Sequence, residues 1–192
     1  MTKAQLRTKY KEARQELTEE QFCTHNKQII SHLMQMDWTG ISHVHVYLPM
    51  EQMREVDTWP FIAWMQLEQP AVVIVVSRSN FSDSSMAHYA FSTKEALEEN
   101  KWGILEPAVG KPNIPVSALD VVIVPLLVSD KQGNRVGYGK GFYDRFLGAC
   151  RADCVKIGLS LFQPVAAIAD VGPYDVPLDK LVTADKVYDF KT

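Results

Sequence analysis

The sequence predicts an α/β fold: one domain over residues 1–192, built on a mostly parallel sheet flanked by helices on both faces in a Rossmann-like, three-layer arrangement. Three observations predict it. Ala71 to Val76 and Asp120 to Val128 are nearly unbroken apolar runs rich in β-branched residues, the pattern of strands covered on both faces of a parallel sheet. Segments of helical periodicity alternate with such strands along the chain. With 192 residues, 46% of them hydrophobic, the chain is also long enough to bury one sizeable core.

Taken in order, Leu6, Tyr10, Ala13 and Leu17 recur at helical spacing, with Lys3, Arg7 and Arg14 on neighbouring faces of the same helix. Thr18 followed by Gln21 reads as a capping box that opens a second helix, whose apolar stripe from Phe22 runs to about Met36. His43 to Leu48 alternates like a strand and ends at Pro49. A helix is expected over Asp57 to Leu67, capped by Asp57 or Thr58, with Pro60 in its first turn. Met86 to Phe91 reads as a shorter strand between the two buried ones. Asn113 to Pro115 marks a loop, and Pro125 interrupts the second buried run. Beyond it, Phe142 to Cys150 is expected to be helical, Val155 to Leu159 a strand and Lys186 to Phe190 a last strand.

A formal net charge of -3 argues against coating nucleic acid or an anionic membrane by bulk electrostatics. Cys23, Cys150 and Cys154 contain no Cys-x-x-Cys pair, so the expectation is reduced thiols in the cytoplasm rather than a disulfide framework or zinc knuckle. The apolar runs fall far short of the roughly 20 residues a membrane span needs. The basic N-terminal stretch lacks the apolar core of a secretory signal. No membrane or nucleic-acid partner is expected; a monomer is, with a dimer as the alternative.

The stretch from Arg135 to Arg145 follows a buried strand and runs into a helix, where open α/β sheets place ligands. Gly137, Gly139 and Gly141 alternate, which lets backbone N–H groups approach an anion, and Arg135, Lys140 and Arg145 add positive charge. The following helix N-terminus contributes its partial charge. Phosphate is the expected guest. Asp144 beside it calls for a bridging cation, and Mg²⁺ shared between carboxylates and phosphate oxygens is the usual arrangement. The string is neither a Walker loop nor a dinucleotide fingerprint, and its glycines alone fit a plain strand-to-helix turn equally well.

The full string VIVPLLVSDKQGNRVGYGKGFYDRFL resembles the signature of the 5-formyltetrahydrofolate cyclo-ligase family, also called 5,10-methenyltetrahydrofolate synthetases. The likeness extends over essentially the whole chain. It takes in Lys3-x-x-x-Arg7, the Glu-Val-Asp-Thr that begins at Glu55, the Gly-Ile-x-Glu-Pro that contains Glu106, and Asp175 followed by Leu-Asp-x-x-Val-Thr. The chain departs from the family pattern at Val136, where Leu is usual, at Lys140, where Gly is frequent, and at Phe142, where Tyr is frequent. LLVSD also replaces a more typical GLAFD. A role that needs a phenol near position 142 falls to Tyr143 or Tyr138.

The resemblance implies cyclisation of 5-formyltetrahydrofolate to 5,10-methenyltetrahydrofolate at the expense of ATP, with Mg²⁺ as cofactor. It implies that Lys3 and Arg7 reach the nucleotide, with Arg135, Val136, Gly137, Tyr138 and Gly139, then Lys140, Gly141, Phe142 and Tyr143, wrapped around it. Arg135, Lys140 and Tyr143 would serve the chemical step, while Asp144 and Asp175 would ligate the metal. Met50, Glu55 and Trp102 would hold the folate, together with the loop from Tyr138 to Phe142. Glu106 receives no role, and the five histidines, His43 and His45 among them, lack metal-site spacing. Two other readings stay open. One is a non-catalytic nucleotide or RNA module that stacks bases on the loop aromatics, against which the net charge and the Asp144 and Asp175 pair speak. The other is an ATP-dependent ligase or kinase for a different small molecule, since the loop specifies phosphate better than folate.

Overall fold

The computed structural model describes residues 1–100, 103–108 and 114–191; Trp102 and the start of the Asn113–Pro115 loop lie outside them. Two helices come first, α1 (Lys3–Glu16) and α2 (Glu19–Met34). Each is opened by a reciprocal capping box, Thr2 with Gln5 and Thr18 with Gln21, which satisfies two N–H groups that the helix itself leaves unpaired. Strand β1 (His43–His45) is shorter than the alternation from His43 to Leu48 implied, because the chain leaves the sheet there to build one wall of a cavity. Helix α3 (Trp59–Glu68) follows, with Pro60 in its first turn. Both expected residues share its cap: Thr58 holds the N-cap position and donates its hydroxyl to the Tyr47 carbonyl at 2.7 Å, while Asp57 Oδ1 accepts the Trp59 N–H at 3.0 Å.

Strand β2 (Val73–Asn80) outruns its predicted apolar stretch and turns back antiparallel into β3 (Ser85–Ala90), so its second half is only partly covered. A small ladder of β4 (Leu97–Glu99) and β5 (Leu105–Pro107) comes next and carries no periodicity that foretold it. The second buried run splits into β6 (Val121–Pro125) and β7 (Val128–Ser129), and β7 pairs antiparallel with β8 (Arg135–Val136). Helix α4 (Phe142–Ala149), β9 (Val155–Leu159), β10 (Lys180–Val182) and β11 (Val187–Asp189) complete the described chain. Of these, β10 is a strand the sequence reading did not contain.

The main sheet has seven strands in the order β11-β10-β9-β6-β1-β2-β3, parallel from β10 through β2, with antiparallel strands at both edges. The chain goes from β1 through α3 to β2 on one side, then from β6 through α4 to β9 on the other. Because such crossovers are right-handed, the two helices must lie on opposite faces. Packing agrees. Val121 and Ile123 of β6 join the cluster containing Ile29, Phe61 and Met65, whereas Val122 and Val124 join the one containing Phe146 and Leu147. A third, smaller cluster of Leu6, Val128, Val136 and Ile168 seats α1 on the β7-β8 ribbon. The point between β1 and β6, where strand progression reverses, opens a crevice at the strands' carboxyl ends.

Candidate active site

That crevice is a cavity of about 570 Å³. Its glycine-rich wall is fixed by Asp130, whose carboxylate accepts N–H groups from Gln132, Asn134 and Ile168 at 2.9 to 3.1 Å and so shapes the β7-β8 turn. Two glycines in the loop hold dihedrals that strain any side chain, Gly139 with φ +88° and Gly141 with φ +73°, the latter capping α4. Gly137 adopts no such conformation; its carbonyl instead accepts from Arg7 Nε at 2.9 Å. The bare Gly139 also makes room for Arg7, since a Cβ there would lie 3.0 Å from the guanidinium carbon. Only two of the three alternating glycines are therefore required by backbone conformation. Val136 contributes mainly through its main chain, because its side chain is buried against α1.

Around this loop the charges are paired across the fold. Arg135 Nη2 donates to Asp144 Oδ1 at 2.7 Å, and Lys3 Nζ to Asp175 Oδ2, which also accepts the Gly172 N–H at 2.6 Å. Burial alone would raise the Asp175 carboxyl, but the Lys3 ammonium and the Gly172 N–H bring it below the usual carboxylate range. Neither Asp144 Oδ2 nor Asp175 Oδ1 has a protein hydrogen-bond partner among the described residues. No three His, Cys, Asp or Glu side chains cluster as a ready metal cage among those residues. Two carboxylates, each with an oxygen to spare, fit Mg²⁺, which takes one or two protein carboxylates and fills the rest with water and phosphate. Lys140 is exposed at the loop crest.

Another part of the cavity lining is more deeply buried. Glu55, only 5% exposed, accepts the Met50 N–H at 2.9 Å and the Tyr138 hydroxyl at 3.0 Å. Burial pushes its carboxyl up, and the Met50 N–H, Arg14 and Tyr138 partly offset that. Tyr143 packs against His45 and Phe146, and burial, with Glu55 nearby, raises its phenol far enough that it remains a neutral O–H. On the floor, His45 Nε2 lies 2.7 Å from Ser77 Oγ, itself 2.9 Å from His88 Nδ1; burial pushes His88 down to about 4. Phe142 meets Phe81 of the β2-β3 turn edge to face, ring centres 5.3 Å apart, at the mouth.

Lys3, Arg7, Met50, Glu55, Asp175 and every residue from Arg135 to Asp144 line this one cavity. Trp102 falls outside the described residues. Sequence reasoning assigned nothing to His45, Ser77 or Glu106, all of which line the cavity, or to Arg14, which stands behind its wall. A signal for Arg14 existed: at about 100° per residue it falls between Lys3 and Arg7 in helical projection. Glu106, 3% exposed and accepting the Ser79 N–H at 2.9 Å, was marked only by the Gly-Ile-x-Glu-Pro string and without a role, because its burial depends on the unforeseen β4-β5 ladder.

The 5-formyltetrahydrofolate cyclo-ligase family model matches residues 1–184. The chain belongs to that family. Among its curated members, the 5-formyltetrahydrofolate cyclo-ligase of Escherichia coli strain K12 is 29% identical over 183 residues, covering 94% of this chain and 99% of that one. The Haemophilus influenzae cyclo-ligase is 26% identical over 177 residues, 91% of this chain and 93% of its own. Among solved structures, the 5,10-methenyltetrahydrofolate synthetase of Aquifex aeolicus superposes with a TM-score of 0.83 at 26% identity, covering all of this chain and 94% of that one. The cyclo-ligase fold, a mixed α/β domain on a mostly parallel sheet, is thus shared in full. No helix among the described residues is long and apolar enough to cross a membrane.

Proposed function

We propose that the protein converts 5-formyltetrahydrofolate and ATP to 5,10-methenyltetrahydrofolate, ADP and phosphate, with Mg²⁺ as cofactor. The observation that carries this reading is the make-up of one cavity: a cationic, glycine-lined part made by Lys3, Arg7, Arg135 and Lys140 shares it with a buried acceptor, Glu55. The first suits a triphosphate and the second a ring system with N–H donors. The formyl oxygen is a poor leaving group, so the γ-phosphoryl group is transferred to it; N10 then attacks the activated carbon, loses its proton, and phosphate departs.

Such a sequence asks the protein for alignment and charge neutralisation rather than a covalent nucleophile. Arg7, locked against the Gly137 carbonyl, and Lys3 hold the nucleotide from α1. Arg135 is oriented by Asp144 and stabilises charge on the transferring group, and exposed Lys140 closes over it. Asp144 and Asp175 would hold Mg²⁺, which neutralises phosphate charge when bound. Met50 and Glu55 fix the pterin, and Tyr143 supplies a neutral O–H beside them. A monomer is taken as the working unit, and three free cysteines suit a reducing cytoplasm.

Purified protein given 5-formyltetrahydrofolate, ATP and Mg²⁺ is expected to generate the methenyl chromophore in the near ultraviolet, and chelation of Mg²⁺ to stop it. Absence of the chromophore while an authentic cyclo-ligase turns over in the same buffer would sink the assignment.

A further inference from the structure

Arg14 is 2% exposed and stands behind the cavity wall rather than in it. Its Nη2 donates to the Leu126 carbonyl at 2.7 Å, and its Nη1 donates to the Met53 carbonyl at 3.3 Å and to Tyr138 Oη at 3.0 Å. A guanidinium carries donors only, so Tyr138 Oη must accept from it. The phenol's single proton is then left for Glu55 Oε1, 3.0 Å away. The hydrogen-bond chain therefore runs in one direction, from Arg14 through Tyr138 to Glu55, with no tautomer to choose.

We infer that Arg14 is a positioning residue for the folate-binding carboxylate: acting through Tyr138, it holds Glu55 ionised and aimed into the cavity as an acceptor of ligand N–H groups. The inference rests on Glu55 as the pterin contact in the function proposed above. Tyr138 from the loop bonds Glu55, and Tyr47 just after β1, Tyr143 from α4 and Arg14 from α1 lie near enough to act on it electrostatically. Burial keeps the three phenols neutral, so the guanidinium is the one charge among them. A buried carboxylate without a charged partner takes up a proton instead, and a protonated Glu55 would offer a donor where the ligand needs an acceptor. Arg14 does this without occupying cavity space, leaving the wall to the tyrosine ring. Its two carbonyl contacts also tie the end of β6 to the Met50–Glu55 segment, so a test must separate charge from scaffolding.

The test follows the Glu55 carboxyl carbon by ¹³C NMR in ligand-free protein, its signal assigned by loss in Glu55→Gln. Arg14→Met and Tyr138→Phe should each raise the Glu55 midpoint by about one pH unit, as expected when an opposite charge or a hydrogen bond to the charged form is removed. Arg14→Lys should recover part of that rise. In turnover, Arg14→Met should raise the KM for 5-formyltetrahydrofolate at pH 7 about tenfold while kcat stays within about threefold, and move the acid limb of kcat/KM up in step. The double variant should be no worse than the poorer single one, because both changes cut the same chain. An unmoved Glu55 midpoint overturns the inference, even if melting temperature falls, and so do additive losses. Should Arg14→Met fail to fold, Arg14→Gln, which keeps a donor for Tyr138 and removes the charge, decides in its place: an unmoved Glu55 midpoint there overturns the inference. If wild-type protein does not turn over the folate, the proposed function fails, and the ligand-free midpoint still decides whether Arg14 governs Glu55.

Discussion

In one part of the cavity lining Lys3, Arg7, Arg135 and Lys140 stand around a glycine-rich loop, their charges partly met by Asp144 and Asp175. In another part of the lining the carboxylate of Glu55 is almost out of water and depends on two hydrogen bonds and a cation one residue further away. The first part keeps Lys140 exposed and Lys3 and Asp144 partly so, buries Arg135 against Asp144, and as a whole attracts an anion. The second has removed water, so each missing partner leaves a buried polar group unsatisfied. Loss of one residue should therefore act differently in the two parts: on the rate of phosphoryl transfer in the first, on substrate affinity in the second.

The strongest challenge to that contrast is Arg135→Met. Removal of one preorganised charge at the transferring group should lower kcat by about 10²- to 10³-fold while leaving the folate KM nearly unchanged. Steady-state kinetics with each substrate varied would check it, and a large rise in the folate KM would mean the two parts do not act separately. Gly139→Ala comes next. It forces a side chain into a left-handed conformation at a cost of about 1 to 2 kcal/mol, and its Cβ would press on Arg7. A lower melting temperature should accompany an ATP KM raised about tenfold, the equivalent of about 1.4 kcal/mol of lost contact. The smallest effect is expected from Phe142→Tyr, whose ring meets Phe81 at the mouth rather than either charged part. Stability should change by no more than about 0.5 kcal/mol, and kcat should stay close to wild type. A large gain in kcat would place a phenol in the chemistry and move the boundary between the two parts.

The same contrast explains what the sequence made legible. The glycine loop of the cationic part is continuous in sequence, from Arg135 to Asp144, so its composition could be read directly, while Lys3, Arg7 and Asp175 come to it from far along the chain. The acceptor part is assembled from α1, the segment after β1, and the loop, and its Arg14 to Tyr138 link joins residues 124 apart. Glu55 was reachable only through family resemblance, because in MREVDT it reads as an exposed loop acid. Its burial comes from Tyr47, which donates to the Val56 carbonyl at 3.0 Å and folds that segment back onto the sheet. The parallel core was legible for the opposite reason: Val121 to Val124 carry their burial on both faces in composition alone. Short ribbons such as β4-β5 and β7-β8 were not, since two or three residues hold no measurable period and owe their pairing to tertiary position.

The ion pair between Lys3 and Asp175 closes a separation of 172 residues. A ribosome working at about 5 to 20 residues per second delivers Asp175 well after Lys3. During that interval α1 has neither its seat against Ile168 nor the partner for its first lysine. The nascent chain can carry every residue of the glycine loop and still lack the enclosure around it. Competence thus waits for Asp175, and a chain truncated shortly before Pro173 would hold the loop without a closed site.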